Sequence, residues 1–407
     1  MCFTLNPNCG ILWYSFLLAM ILFVLNFYQY NSVVLGEFTQ LTSGYKNRDI
    51  DLMGVLEEKN NEHGYLNKLR ELSIWTERHL TNPMIKDYTD HGVNHSRRLE
   101  GYINDLIQEL MQGPNRLCDK EIYILLASCY LHDLGMHYQY LESLPYFDKL
   151  QNEYPNVNFS KRDNLNPEER QRILEVTRKE HNRISHELIM AGSIYGDLAT
   201  PINGLDQELK HFVATICYGH RLNREEYDEL GDESSGSDSI RRSLLARLLR
   251  IGDALDVTRE RIDMQKMAFQ YINDYSKVHW YKHHYTTGMQ VSDRNRISLS
   301  FNLPCKPDDK TRRLYDNIPR WVIDELKLEE YLHVDYLDRY GIAIKIDERR
   351  NTNYKDNAEL GSDVTRQPRS LLNPQPPLEE MDESLLELAA GSYEKFKEKN
   401  VDSMLML

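Results

Sequence analysis

Apolar residues recur at three- and four-residue intervals through much of this chain, the spacing that lines one face of a helix. Six segments carry it: LNKLRELSIWTERHL (66–80), VNHSRRLEGYINDLIQELM (93–111), EIYILLASCYLHDLGMH (121–137), PEERQRILEVTRKEHNRISHELIMAG (167–192), DQELKHFVATICYGH (206–220) and SIRRSLLARLLRIGDALDVTRERI (239–262). QGPN and NLNPEE separate some of them, and Asn166-Pro167 followed by two glutamates marks a helix start. The pattern predicts an all-helical core over residues 51–262. After Ile262, SKVHWYKHHYTTGMQV and RISLSFNLP are rich in β-branched and aromatic residues and predict strands. A helix over 308–331 and a short strand GIAIKI (341–346) complete a β-β-α-β appendage spanning 263–348. Residues 349–381, which include most of RQPRSLLNPQPPLEEMDE (366–383), predict a linker or disordered stretch, and residues 382–400 a closing helix. The expected fold class is mainly α: a helical bundle with a small α+β appendage and a C-terminal helix.

Length and charge narrow the partners. The 407 residues carry a formal net charge of −14 with no long Lys/Arg run, which excludes bulk nucleic acid and leaves room for a small phosphorylated ligand in a local basic pocket. Six scattered cysteines without a CxxC pair suggest neither a disulfide framework nor a zinc ribbon, and fit reduced thiols in the cytosol. Residues 1–36 contain no charged side chain and include ILWYSFLLAMILFVL, Ile11 to Leu25. Fifteen clean apolar residues are short of the roughly 20 that span a bilayer. A membrane anchor through residues 11–35 and a buried or oligomerisation helix both fit. If the segment spans, Lys46 and Arg48 favour a body on the cytoplasmic face. A cytoplasmic homo-oligomer, with or without tethering to the inner face of a membrane, is expected.

The chemistry-bearing residues interrupt the apolar helices. His91 and His95 stand four apart, His132 and Asp133 are adjacent in YLHDLGM, and His186, His220 and Asp253 follow on separate segments. Imidazoles and carboxylates converging from several helices are how a bundle builds a metal site. That donor set suits Mn, Fe, Zn or Mg, and the absence of cysteine argues against structural zinc.

The ordered pattern His95, His132-Asp133, Asp253, with the flanks HSRRLEGYI, YLHDLGM and LARLLRIGDALDVTRERI, resembles the HD-domain superfamily of metal-dependent phosphohydrolases over roughly residues 87–262. The resemblance implies a helical fold, a first metal on His95, His132, Asp133 and Asp253, and extra ligands at His186 and His220 as in the HD-GYP branch. It also implies that Asp133 bridges two ions and touches the attacking water. The chain departs from HD-GYP proteins in lacking GYP after His220 and in reading LGMH where they usually carry a lysine, which puts cyclic-di-GMP hydrolysis in doubt. The strand-rich region after Asp253 is similar to HD domains found beside Hsp90-type ATPases, although no ATPase motif is present.

The function expected is phosphohydrolysis of a nucleotide or other small phosphate ester, with Asp133 and His91 catalytic and Arg221 and Arg98 contacting substrate. A nucleotide-sensing module with little turnover is the alternative, and a membrane-tethered assembly with a purely structural site is a third. His137 and His181 are expected as bystanders, and His279, His283 and His284 as a solvated or interface face of a strand.

Overall fold

The computed structural model describes residues 50–58, 63–80, 87–136, 145–159, 165–191, 207–236, 238–264, 272–292, 295–304, 309–355 and 380–401. The apolar segment 1–36 and His137 lie outside them, as does most of the expected linker. Among the described residues no helix is long and apolar enough to cross a membrane.

The helices are α1 (Leu52–Glu58), α2 (Tyr65–His79), α3 (Val93–Leu106), α4 (Gln108–Gln112), α5 (Asp119–Leu131), α6 (Pro145–Glu153), α7 (Pro167–Ala191), α8 (Gln207–Gly219), α9 (Arg224–Leu230) and α10 (Arg242–Leu255). A hairpin of β1 (Asp232–Ser235) and β2 (Asp238–Arg241) precedes α10. Then come α11 (Asp274–Tyr285), β3 (Thr286–Ser292), β4 (Arg296–Pro304), α12 (Asp309–Tyr315), α13 (Asn317–Leu337), β5 (Lys345–Ile346), β6 (Asn351–Lys355) and α14 (Glu383–Lys399). The fold is mainly α with a small α+β appendage.

The core centres on α5, whose residues from Glu121 to Leu131 are all buried and which packs against α2, α3, α8 and α10. A helix apolar on every side has to sit inside. The start of α7 is the reciprocal cap that NPEE suggests: Glu169 N–H donates to Asn166 Oδ1 at 2.9 Å, and Asn166 N–H donates to Glu169 Oε2 at 3.0 Å. Buried Arg247 lies between the rings of Tyr227 and Tyr336 and donates to the Leu332 carbonyl at 3.0 Å, while Arg250 grips Glu329 at 2.6 and 2.9 Å. These contacts join α10 to α13 and so fix the appendage to the core.

The structure differs from the sequence expectation in several places: the β1–β2 hairpin interrupts the span expected to be all-helical, and the expected strand 341–346 is a strand only over Lys345–Ile346. HWYKHHY is not a strand but most of α11. Asn273 caps it by accepting the Ser276 N–H at 2.9 Å, and Val278, Trp280, Tyr281, His284 and Tyr285 are all buried. Burial on several sides overrides the strand preference of its aromatic residues. A strand, β6, occurs where a linker is expected, parallel to β4 over Ser300–Pro304, while β5 pairs with the start of β4 and β3 runs antiparallel to it. Finally, α5 stops at Leu131, so His132 and Asp133 stand at a helix end rather than mid-helix.

Candidate metal centre

Helix ends deliver most of the cluster. His95 lies in the first turn of α3, His132 caps the end of α5 and Asp133 follows it. His220 comes just after α8, and Asp253 is in the last turn of α10. His181 reaches in from the middle of α7.

Two glycines allow the close packing. A Cβ on Gly135 would stand 2.1 Å from the His181 carbonyl oxygen, so only glycine lets the turn after Asp133 meet α7. A Cβ on Gly219 would lie 2.6 Å from the Ala246 Cβ, where the end of α8 crosses α10. Ser185 fastens the same turn, accepting the Gly135 N–H at 2.8 Å and donating to the His132 carbonyl at 2.6 Å.

The tautomers of four imidazoles follow from their partners. The Nδ1 of His132 faces the Cys129 carbonyl at 3.1 Å, that of His181 the Arg178 carbonyl at 2.9 Å, and that of His220 the Cys217 carbonyl. The Nδ1 of His95 faces an Asp256 carboxylate oxygen at 2.6 Å. Each of these partners can only accept, so Nδ1 carries the proton and Nε2 presents a lone pair. Those lone pairs converge. His95 Nε2 and His132 Nε2 are 3.3 Å apart, and His181 Nε2 and His220 Nε2 are 2.9 Å apart. Asp133 Oδ2 lies 3.5 Å from His95 Nε2 and 3.1 Å from His132 Nε2, while Asp133 Oδ1 lies 3.4 Å from His181 Nε2. Asp253 Oδ1, 3.3 Å from His95 Nε2, is buried without a hydrogen-bond partner.

Acceptors facing acceptors in a buried site repel one another unless a cation lies between them. The residues present therefore fit a divalent metal with nitrogen and oxygen ligands. Two groups could hold an ion: His95, His132, Asp133 and Asp253, and Asp133, His181 and His220.

Electrostatics agree with that fit. Burial would raise the Asp133 carboxyl, but His132 and His91 hold it well below the usual carboxylate range. Asp253 is likewise held down, against its burial, by the neighbouring His95 imidazole and Arg261. Burial, helped by Arg221, takes His181 down to about 4, and burial with His181 and His132 takes His220 well down, so both are neutral donors at pH 7. His95 goes the other way: burial and Arg261 disfavour its charge, yet Asp133, Asp253 and Asp256 raise it to about 10. Three carboxylates around one imidazole call for positive charge at that spot.

The predicted site residues divide. His91, His95, His132, Asp133, His220 and Asp253 are brought together, with His91 Nδ1 donating to Asp133 Oδ2 at 2.7 Å. His186 is not. It lies away from the cluster, beside Glu187 and Tyr218, and His181, expected as a bystander, occupies the place foreseen for it. Five residues on a helix turn the side chain by about 140°, so one helix cannot aim both at the same point. The sequence did hold a signal: Leu174, Thr177, His181, Ile184 and Leu188 follow the 3,4 spacing of the buried stripe of α7, and His186 does not.

Arg98, expected at substrate, instead donates through Nε to Asp256 Oδ1 at 2.7 Å and through a terminal nitrogen to Oδ2 at 3.0 Å, with Asp90 beyond at 3.3 Å. Asp256, not foreseen, orients His95 from behind. Its position three residues after Asp253 was the available clue. Arg221 is exposed next to His220. His283 and His284 are buried rather than solvated, His283 Nδ1 donates to the Val257 carbonyl at 2.9 Å, and burial keeps both neutral.

Comparison with known proteins agrees with this geometry. A search of curated proteins returns no match. A family model, HD-CE, matches residues 85–328, more than half of the chain and all of the cluster. The chain therefore belongs to the HD-CE family, an HD-type domain family.

Proposed function

We propose that this protein is a metal-dependent phosphohydrolase acting on a nucleotide or another small phosphate ester. The observation that carries the reading is Asp133, whose two carboxylate oxygens face different imidazole groups, so that one residue serves both candidate ion positions. Two divalent ions held there, drawn from Mn, Fe, Zn or Mg, would polarise a phosphoryl oxygen and lower the pKa of an attacking water.

The chain's own residues supply the remainder. Burial, partly offset by Asp133, holds His91 below the ordinary imidazole range, so it is a neutral base at pH 7. With Nδ1 donating to Asp133, its Nε2 is the nitrogen that accepts a proton from water, and the carboxylate then faces the imidazolium. Arg261 stands 3.3 Å from His91 Nδ1 and 3.7 Å from Asp253 Oδ1, and its donation to the Asp256 carbonyl at 3.1 Å fixes it there.

The test is metal content by mass spectrometry for wild type, His132→Ala and His181→Ala, followed by phosphate release from a nucleotide panel. Wild type should hold about two ions per chain, each variant fewer, and Asp133→Asn should lose turnover while keeping its helical circular dichroism. No metal above background after reconstitution with Mn or Fe, or turnover unchanged in Asp133→Asn, refutes the proposal. Tight nucleotide binding with metal present and no product over hours would make the protein a sensor, with α11 against Val257 as its contact to the appendage.

A further inference from the structure

Two arginines flank the His181–His220 pair. Arg178 precedes His181 by three residues on α7, which places both on one face, and its carbonyl accepts the His181 Nδ1 proton. Arg221 directly follows His220 in a stretch held on both sides. His220 is tied to the Cys217 carbonyl, Arg250 donates to the Leu222 carbonyl at 2.6 Å, and Asn223 caps α9 by accepting the Glu226 N–H at 3.0 Å.

Both residues are exposed, and among the described residues neither side chain has a hydrogen bond or an ion pair. Their neighbours are engaged: Arg98 on Asp256, Arg250 on Glu329 and Arg261 at Asp253. In a chain with 63 acidic against 49 basic residues, two arginines beside a buried ligand set with no acid in hydrogen-bond or ion-pair contact among the described residues are unusual. A phosphate bound beside the His181–His220 pair would be met from both flanks, and the guanidinium fork matches phosphate oxygens.

We propose that Arg178 and Arg221 form a clamp for a second phosphate group, so that the substrate is a di- or triphosphate rather than a simple monoester. This rests on the phosphohydrolase reading. The phosphoryl under attack sits on the Asp133 cluster and the adjoining phosphate lies between the guanidiniums. Water oxygen bonds to phosphorus and the bridging P–O bond breaks. The leaving phosphate keeps the electron pair, and the proton from water passes to His91 Nε2.

The experiment uses the full chain loaded with Mn and two non-hydrolysable probes, methylenediphosphonate and methylphosphonate, titrated by calorimetry. Wild type should prefer the diphosphonate by ~10-fold or more, the range of one or two charge-assisted hydrogen bonds. Arg178→Gln and Arg221→Gln should each reduce that preference, and the double variant should abolish it with metal content unchanged. A preference that survives in the double variant, or none in wild type, overturns the clamp and leaves the metal centre standing. If wild type retains no metal, the phosphohydrolase reading fails instead. The same titration on metal-free protein then decides the clamp: a preference sensitive to both arginines supports it, and no preference refutes it.

Discussion

Replacing Asp256 by Asn tests how the cluster is held in place. Asp256 is fully buried and accepts from His95 Nδ1 at 2.6 Å and from Arg98 at 2.7 and 3.0 Å. An asparagine has one accepting oxygen and one donating NH2. If the oxygen faces His95, the NH2 meets the Arg98 donors. If the NH2 faces His95, the ring must switch tautomer and its Nε2 then points a hydrogen into the metal site. Loss of such a partner behind a ligand lowers metal affinity by ~10–100-fold, which corresponds to roughly 1.4–2.7 kcal/mol. Stability falls too, because Arg98 loses its main counter-charge. Breaking a buried pair costs about 3–5 kcal/mol, and the remaining Asp90 contact at 3.3 Å places the expected loss at the lower end. The assay is Mn binding by competition with a chelator, alongside urea unfolding, for wild type, Asp256→Asn and Arg98→Met. Arg98→Met keeps the His95–Asp256 bond, so it should lose stability but much less metal affinity. If Asp256→Asn binds Mn within twofold of wild type, or Arg98→Met weakens binding equally, the tautomer argument is wrong.

Two further outcomes follow. Gly135→Ala places a methyl 2.1 Å from backbone oxygen, which cannot swing aside, so it should cost at least the ~1–3 kcal/mol of an overpacked core and reduce bound metal. Unchanged melting temperature and metal content would contradict the close approach. Acid should unfold the α10–α13 junction through Glu329 and His333, both of which bind protons more weakly when folded. Arg250 outweighs burial to hold Glu329 at about 2 against 4.5, and burial holds His333 at about 4 against 6.5. Their stabilisation is complete above pH 6.5. It is lost through His333 as pH falls from 6.5 toward 4, and through Glu329 from 4.5 toward 2, where that group alone accounts for about 3 kcal/mol. Urea unfolding of wild type and Glu329→Gln from pH 7 to 3.5 checks this, and equal slopes below pH 4.5 would rule out the Glu329 contribution.

Much of the helical core was legible because a side chain's periodicity records which face is buried. The segments 66–80, 167–192 and 206–220 lie within one or two residues of α2, α7 and α8. Helix ends were less legible. Leu134 and Met136 continue the apolar pattern of α5, yet the chain leaves the α-helix at His132, and only the packing of Gly135 on α7 shows why. α11 was misread because its aromatic residues favour strands in isolation, whereas its neighbours bury it on several sides.

The sequence by itself determined the donor types and their order, and with them the HD-like ligand set His95, His132, Asp133 and Asp253. Tertiary structure decided which imidazole of α7 joins them, that Asp256 stands behind His95, and that Arg98 is held on Asp256. The reason is physical. Spacing along a helix sets the angle between two side chains, but only the packing of that helix against its neighbours sets which angle points at the cluster.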